Sequence, residues 1–456
     1  MTECFTIMSN EIENRIDPYY YKKEFKINFG KFETRTFGEL FEIITDGDHG
    51  NPEYSDEGIP YLRVVDVKKG EIKNAVKKIS KAYSEKLYKS CFAKESDLLI
   101  SIVGTLGESI IIKKNELPLA ISRGFAILSN IKNKNLLNYI YNFTKTNLFN
   151  KQLKKNKVGS VQTGVYLSSL RNIKIPIPPL EIRNKIVSLM DKAYSSKKSK
   201  ETEAQRLLDS INDYVLSELG IKLPELKDKM TLVVYADEVK GKRIDAYYYQ
   251  PKFKEIEEAL RKGKFGVKEL KEVLEKSYIE SKKVKNGEKY ILSINSKKGV
   301  INEVGVFGEQ LFKKSGGTKR EIKNPSYKHF PKSLVISRIN IQRGGCFILD
   351  NDVGEIYSTN EFYSFKSKNG LSLDFIFLLI RNPLLLMLIN KEISGQFGRF
   401  KEEQFLNLKI PLPPLSVQNK IAEEVKRRIQ KAEQLQKEAK EELEKAKKEV
   451  EKIILG

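Results

Sequence analysis

The sequence predicts an α+β chain: two β-rich globular blocks separated by two long antiparallel coiled-coil helices, arranged as an internal pseudo-two-fold repeat. Three observations predict it. Short motifs recur in the same order at a nearly constant offset, which marks a duplication of a large unit and not a solenoid of small ones. Arg15-Ile16-Asp17-Pro18-Tyr19-Tyr20-Tyr21 returns as Arg243-Ile244-Asp245-Ala246-Tyr247-Tyr248-Tyr249, and Leu98-Leu99-Ile100-Ser101 as Leu334-Val335-Ile336-Ser337. Tyr61 followed by Lys68-Lys69-Gly70 returns as Tyr290 followed by Lys297-Lys298-Gly299. Ile175-Pro176-Ile177-Pro178-Pro179-Leu180 returns as Ile410-Pro411-Leu412-Pro413-Pro414-Leu415. The second observation is that each copy ends in a long run with a helical apolar seam. The third is that short β-branched runs punctuated by Gly and Asp fill the body of each copy.

In chain order, residues 1–179 read as an N-terminal arm plus the first block, with β-runs at 61–67, 98–103 and 110–112 and a helical turn at 136–149. The Pro-rich stretch that follows is held extended, because proline fixes φ and disfavours helix at the residue before it. Residues 180–222 hold the central helix, with Ile182, Ile186, Leu189 and Ala193 at its start, Leu208, Ile211 and Val215 at its end, and a polar middle. Residues 223–414 form the second block, with β-runs at 290–294, 334–341 and 346–349 and a helical turn at 373–390. Residues 415–456 form the C-terminal helix. Its seam, Val425, Ile429, Ala432, Gln436, Ala439, Leu443, Ala446, Val450 and Ile453, steps by threes and fours with one polar member. Two helices of about 38 residues, roughly 57 Å each, with matching seams predict an antiparallel pair.

Composition narrows the function. Lys plus Arg is 82 against 60 for Asp plus Glu, a net charge of +22, which invites a polyanionic partner. The excess is local. Residues 31–170 hold 22 basic and 15 acidic side chains, residues 252–405 hold 29 and 19, and the helical stretches are close to neutral. Two basic blocks suit two contacts with a phosphate backbone. Three distant cysteines (Cys4, Cys91, Cys346) and two histidines (His49, His329) predict no disulfide framework, no zinc knuckle and no histidine-based metal site. The arm 1–10 lacks a basic n-region, so no signal peptide is expected, and the apolar stretch 375–389 is too short and interrupted to span a bilayer. A reducing, cytoplasmic setting without a membrane follows as the expectation.

Catalytic motifs are not expected either. Asn324-Pro325-Ser326-Tyr327 and Asn51-Pro52-Glu53-Tyr54 come near the adenine-methylation motif but lack its second proline, and read as turns. There is no Walker A sequence, and although scattered Asp and Lys permit a nuclease in principle, no Pro-Asp…Asp/Glu-x-Lys cluster stands out. No cofactor is expected.

Two basic blocks held apart by a helical rod would meet one face of a duplex more than a turn apart. Blocks that are alike but not identical would then read an asymmetric site of two short halves with unread base pairs between. The run Gly159-Ser160-Val161-Gln162, then Leu167-Ser168-Ser169-Leu170 up to Pro178-Pro179-Leu180, resembles the specificity subunits of type I restriction–modification systems. So do Thr45-Asp46-Gly47-Asp48-His49-Gly50-Asn51-Pro52 and Ile100-Ser101-Ile102-Val103-Gly104-Thr105-Leu106-Gly107. The second copy keeps the Pro-Pro-Leu helix start but has Gly395-Gln396-Phe397-Gly398-Arg399 in place of Gly-Ser-x-Gln. The resemblance implies that each block is a target recognition domain of a non-catalytic subunit that chooses a sequence in double-stranded DNA. It also implies two modification (methyltransferase) subunits that methylate adenine, and restriction subunits, as partners. A specificity half of a combined restriction–methylation enzyme (type IIB/IIG-like), or a basic nucleic-acid scaffold without sequence preference, are the alternatives.

Readout needs groups that hydrogen-bond base edges: Arg to guanine, Gln or Asn to adenine. Arginine is scarce beside lysine, so Arg63 and Arg123 in the first block and Arg320, Arg338, Arg343 and Arg399 in the second are candidate DNA contacts. With them go Lys68, Lys69, Thr105, Lys154, Lys155, Lys157, Ser160 and Gln162 in the first block, and Lys297, Lys298, Lys319 and Gln342 in the second. The lysines are expected to hold phosphates, which position a protein without specifying sequence. The Tyr-Tyr-Tyr repeats lie outside the basic loops and are expected to pack against the base of each block or the helical rod.

Overall fold

The computed structural model describes residues 18–22, 25–30, 32–68, 70–73, 76–158, 163–223, 225–239, 244–280, 288–295, 297, 300–306, 327–350, 356–368, 371–393 and 399–456. Two compact units emerge: residues 1–202 with 435–456, and residues 203–434. Each contains one globular block and a stretch of both long helices, Leu180–Glu218 and Leu415–Leu455.

The first block is organised around the strand Leu98–Ser101, which is buried on both faces. It lies in a four-stranded antiparallel sheet in the order Phe41–Asp46, Phe125–Ile131, Leu98–Ser101, Ser109–Ile111. Side chains alternate across a strand. Leu98 and Ile100 therefore join one apolar core with Phe41, Ala126, Leu128 and Phe149, while Leu99 joins the opposite core with Leu62, Ile121, Phe125 and Ile127. Across that second core lies a sheet in the order Ala120–Ile121, Ile59–Leu62, Lys78–Ile79, Tyr54–Ser55, whose first pair is parallel. A run apolar at every position is what such a doubly covered strand requires.

The second block repeats the plan. Leu274–Lys276, Phe362–Ser367, Ser333–Ser337 and Cys346–Leu349 form its antiparallel sheet. Leu334 and Ile336 face the core shared with the helices, and Val335 faces the core with Ile291, Phe347 and Ile356. The other sheet again contains a parallel pair, Lys289–Asn295 with Ile356–Ser358, here within five strands. Tyr61 pairs with Ala120 as Tyr290 pairs with Tyr357, so the repeat seen in the sequence is a repeat of topology.

Each block is closed at its base by its own Pro-rich strand. Thr34–Thr36 pairs antiparallel with Lys174–Pro176, and Val267–Glu269 pairs likewise with Lys409–Pro411. Two residues later the Pro-Pro-Leu start launches a long helix, and the side chain in its first turn reaches back to the proline carbonyls. Arg183 Nε donates to Pro178 O at 3.1 Å, and Gln418 Nε2 donates to Pro413 O at 2.8 Å.

The helices pair antiparallel within each unit. In the first, Ser196 and Lys200 both reach Glu442 and Lys200 also reaches Glu438. In the second, Arg428 donates to Ser210 and Lys420 to Glu218. The buried seam of the C-terminal helix runs Val425, Ala432, Leu435, Ala439, Leu443, Ala446, Val450, Ile454. Leu435, not Gln436, holds the seam position, Gln436 is exposed, and Ile454 is buried more deeply than Ile453. The seam thus drifts at the 3.6-residue period of a straight helix, and fixing every step by a strict 3–4 alternation misplaces it by one residue midway. The polar middle of the central helix is bridged by the Lys200 ion pairs, and Ala204 beyond it is fully buried.

The Tyr-Tyr-Tyr repeats pack on the short helices Asn147–Lys155 and Pro383–Glu392 in near-identical fashion. Lys155 Nζ lies 4.0 Å from the centre of the Tyr20 ring, and Lys391 Nζ lies 5.0 Å from that of Tyr248. Edge contacts Tyr20–Tyr21 and Tyr248–Tyr249, with centroids 5.1 and 5.0 Å apart, complete both copies. Arg15, Ile16, Asp17 and Arg243 lie outside the described residues.

Among the described residues no single helix is long and apolar enough to cross a membrane. The apolar pair Leu373–Ile380 and Pro383–Glu392 is bent by 71°, and its Phe375, Ile376, Leu379, Leu384 and Leu388 belong to the core.

His329 is a fully buried titratable group of the second block. Its ring is hydrogen-bonded at 2.8 Å to Ser364 Oγ and 2.6 Å to Ser358 Oγ, and burial pushes its pKa from 6.5 down to about 3. The unfolded chain therefore takes up a proton near pH 6.5 that the folded ring refuses until about pH 3, so stability falls on acidification through that window. At pH 4 the loss is about 3 kcal/mol. Urea midpoints followed by circular dichroism at pH 7 and pH 4 should show this drop in the parent and a much smaller one in His329→Gln.

Candidate nucleic-acid interface

In each block three segments converge at the end of the doubly buried strand. The serine that ends it caps the turn that follows: Ser101 Oγ donates to Thr105 O at 2.5 Å and accepts from Glu108 N at 2.8 Å, while Ser337 Oγ accepts from Asn340 N at 3.2 Å. The next residue, Ile102 or Arg338, ties in the other two segments. Ile102 N donates to Gly124 O and Val165 N to Ile102 O, at 2.8 and 2.9 Å; Arg338 N donates to Glu361 O and Phe400 N to Arg338 O, at 2.8 and 3.0 Å. Backbone fixes the frame, and side chains at matching places differ.

In the first block this frame carries many of the residues proposed from sequence. Gly104, at φ +78°, and Thr105 stand exposed at the turn, and Gly104 N donates to Thr163 O at 3.2 Å. A left-handed conformation there suits glycine. Lys154, Lys155 and Lys157 lead from the short helix into a loop closed by the mutual hydrogen bonds of Val158 and Gly164, 2.9 and 3.0 Å. Lys154 and Lys157 are exposed, whereas Lys155 is half-buried over Tyr20. Arg123 is exposed, and its backbone N donates to Asp48 O at 2.9 Å. The Asp48 loop is in turn fixed by its carboxyl, which accepts from Tyr61 Oη at 3.1 Å, Tyr83 Oη at 2.8 Å and Gly50 N at 2.9 Å. His49, on the same loop, is hydrogen-bonded to Asp46 at 2.8 Å.

Arg63 directly follows the strand Ile59–Leu62 and is already engaged. Its guanidinium makes a bidentate pair with Asp66 at 2.8 and 3.0 Å, which raises its pKa, and lies 5.8 Å from the Tyr54 ring centre. Lys68 is exposed on a hairpin, Val67–Lys68 with Glu71–Ile72, that docks on the helical side of the block through the 2.7 Å pair Glu71–Lys198. It is not drawn into the three-segment frame.

In the second block Arg338 donates to Asn360 O at 3.0 Å and its guanidinium lies 5.0 Å from the Tyr363 ring centre. Arg399 pairs with Glu361 at 2.7 Å. Gln342 and Arg343 lie on one turn of 3-10 helix, Ile341–Arg343, with Arg343 exposed and Gln342 Oε1 buried without a hydrogen-bond partner among the described residues. Lys297 is exposed, and its carbonyl accepts from Arg381. Lys69, Ser160, Gln162, Lys298, Lys319 and Arg320 lie outside the described residues.

Sequence reasoning passed over Tyr166 and Tyr54. Tyr166 is 66% exposed directly after the closed loop, and Tyr54 carries Lys77 at 4.8 Å as well as Arg63 over its ring. An exposed aromatic beside a basic loop is the signal that would have found them.

Residues 30–208 and 262–445 match the family described as type I restriction modification DNA specificity domain. Over 165 residues the chain is 24% identical to the type I restriction enzyme EcoBI specificity subunit of Escherichia coli. That stretch is 36% of this chain and 34% of the relative, so the match spans about a third of the curated relative's length. Among solved structures, a chain described under the structural basis of complex assembly and conformational transition of the type I R-M system superposes with a TM-score of 0.51 at 13% identity, covering 93% of this chain and 96% of that one. The S subunit of a type I restriction-modification system from M. genitalium gives 0.45 at 12% identity, over 95% and 97%. Two family matches laid over two copies of one topology show that the chain belongs to the type I restriction modification DNA specificity family and carries its domain twice.

Proposed function

We propose that this chain reads an asymmetric, two-part site in double-stranded DNA, one half per block. In this reading the long helices set the unread gap, two modification subunits and the restriction subunits assemble on the chain, and the chain itself does no chemistry. The domain limits are those of the sequence: 1–179, 180–222, 223–414 and 415–456. One observation carries the reading. The same backbone frame occurs in both blocks, yet Ile102 is replaced by Arg338 and Gly124 by Glu361 at positions making the same backbone hydrogen bonds. A shared frame with different side chains is what two different half-sites call for.

Selection from random duplexes, with the chain assembled with its modification subunits, tests the reading. A motif in two parts at a fixed gap supports it, and binding indifferent to sequence overturns it. Within the selected site, Arg123→Ala and Arg343→Ala, whose guanidiniums have no hydrogen bond or ion pair among the described residues, should each relax one base position by about 1–3 kcal/mol. Lys154→Ala or Lys157→Ala should instead weaken all sequences alike and lower the salt slope by about 1.

A further inference from the structure

Beside the three-segment frame of the first block stands an arginine held by a buried carboxylate. Leu62 O accepts from Ser122 N at 3.0 Å, and Val64 packs on Gly124, where a Cβ would lie 2.7 Å from Val64 Cγ2. Gly124 O is the acceptor of Ile102 N, so Arg63, between Leu62 and Val64, sits at the edge of the frame.

The partner is supplied locally. One turn of 3-10 helix, Val64–Asp66, closes with Asp66 N donating to Arg63 O at 2.9 Å, which brings the carboxylate back to Arg63. Asp66 Oδ2 accepts from the Arg63 backbone N at 3.2 Å and from Nε at 2.8 Å, and Oδ1 accepts from Nη2 at 3.0 Å. The two side chains differ in exposure, 5% for Asp66 against 30% for Arg63. Leaving a buried carboxylate unpaired is costly, so the guanidinium is held in one orientation with its outer edge accessible. Tyr54, with its ring centre 5.8 Å from the guanidinium, flanks it.

Arginine has five N–H donors in a planar fork. Asp66 takes one on Nε and one on Nη2, which leaves three at the Nη1–Nη2 end. Two parallel N–H groups on that edge match the N7 and O6 acceptors of guanine. A phosphate contact is the poorer use of this group, because Asp66 neutralises the charge that a phosphate would pair with. At the matching places of the sequence repeat the second block has Leu292 and Asn295, which cannot form such a pair.

We propose that Arg63 reads a guanine in the first half-site through its Nη1–Nη2 edge, and that Asp66 is the positioning residue that aims it. The proposal rests on the reading that the first block selects one half of a two-part DNA site.

Selection from random duplexes by the chain assembled with its modification subunits, followed by affinities for the selected site with each base in turn at every position, tests it. The parent's first half-site should contain a G·C pair at which Arg63→Lys loses about tenfold or more of the discrimination against other bases, since lysine keeps the ion pair but has no fork. All other positions, in both halves, should keep their preferences. Asp66→Asn, of the same shape but uncharged, should lower the preference at that same position and add nothing on the Arg63→Lys background. Thermal melts followed by circular dichroism establish that the variants are folded.

Parental discrimination in Arg63→Lys, a loss spread over every position of the half-site, or a parental first half-site without a G·C pair overturns the guanine assignment and leaves the pair as a brace of the turn. Full preference in folded Asp66→Asn overturns the positioning role alone, and should that variant fail to fold, Arg63→Lys still decides the assignment. A parent that selects no two-part motif defeats the underlying reading, and this proposal with it.

Discussion

A chain whose residues 1–179 are replaced by the corresponding block of another specificity subunit should select a new first half-site and keep its second half-site unchanged. Each block has its own doubly buried strand and its own pair of apolar cores, so the replaced block brings its own frame with it. The contact end is likewise built within one block: Ile102, Gly124 and Val165 in the first, Arg338, Glu361 and Phe400 in the second. A mismatched base pair costs about 1–3 kcal/mol, roughly additively. Three read base pairs thus amount to at least a hundredfold change in preference at the exchanged half. Selection on random duplexes measures it, and a change in both halves would refute the one-block, one-half assignment.

Deleting seven residues from each long helix at matched levels, 196–202 and 436–442, should shorten the preferred gap by about three base pairs. Those segments face each other through Ser196–Glu442 and Lys200–Glu438, so their joint removal keeps partners opposed on both sides of the cut. Seven residues are about 10 Å of helix, close to three base pairs of B-DNA, and turn the apolar face by only about 20°. Three base pairs also rotate the second half-site by roughly 100° about the duplex, so the shortened site should be bound more weakly than the parent binds its own. The gap optimum is therefore the readout. Duplexes carrying both half-sites at graded spacings would report it, and an unmoved optimum would take the helices out of the role of ruler.

The architecture was legible because its signals are local or repeated. Leu98-Leu99-Ile100-Ser101 and its copy are apolar at consecutive positions because both faces are covered, and Pro176 and Pro411 mark the strands that precede the helices. Distances along the chain hid other features. Arg399 finds its carboxylate at Glu361, 38 residues away, and Arg338 lies over Tyr363; nothing in the neighbouring residues announces either contact. Arg63 could have been read more closely, since Asp66 three residues on is a local partner. In sequence Lys145 and Arg381 look like solvated helix ends, and only folding brings Gly70, 75 residues earlier, beside the first and the Lys297 carbonyl, 84 residues earlier, to the second. Leu435 against Gln436 shows the limit of periodicity: a one-residue change of face costs nothing in pattern but decides which side chain is buried.

The pairing of Thr34–Thr36 with Lys174–Pro176, and of Val267–Glu269 with Lys409–Pro411, has a consequence for how such genes can change. Because the first and last strands of a block lie side by side, its chain comes in and leaves through one doorway. A crossover between related genes at those two places would deliver an intact cassette, hydrogen-bonded shut at its neck, without disturbing the helices that carry it. New specificities could then arise by trading whole modules in one recombination event, faster than by accumulating point mutations in the reading loops.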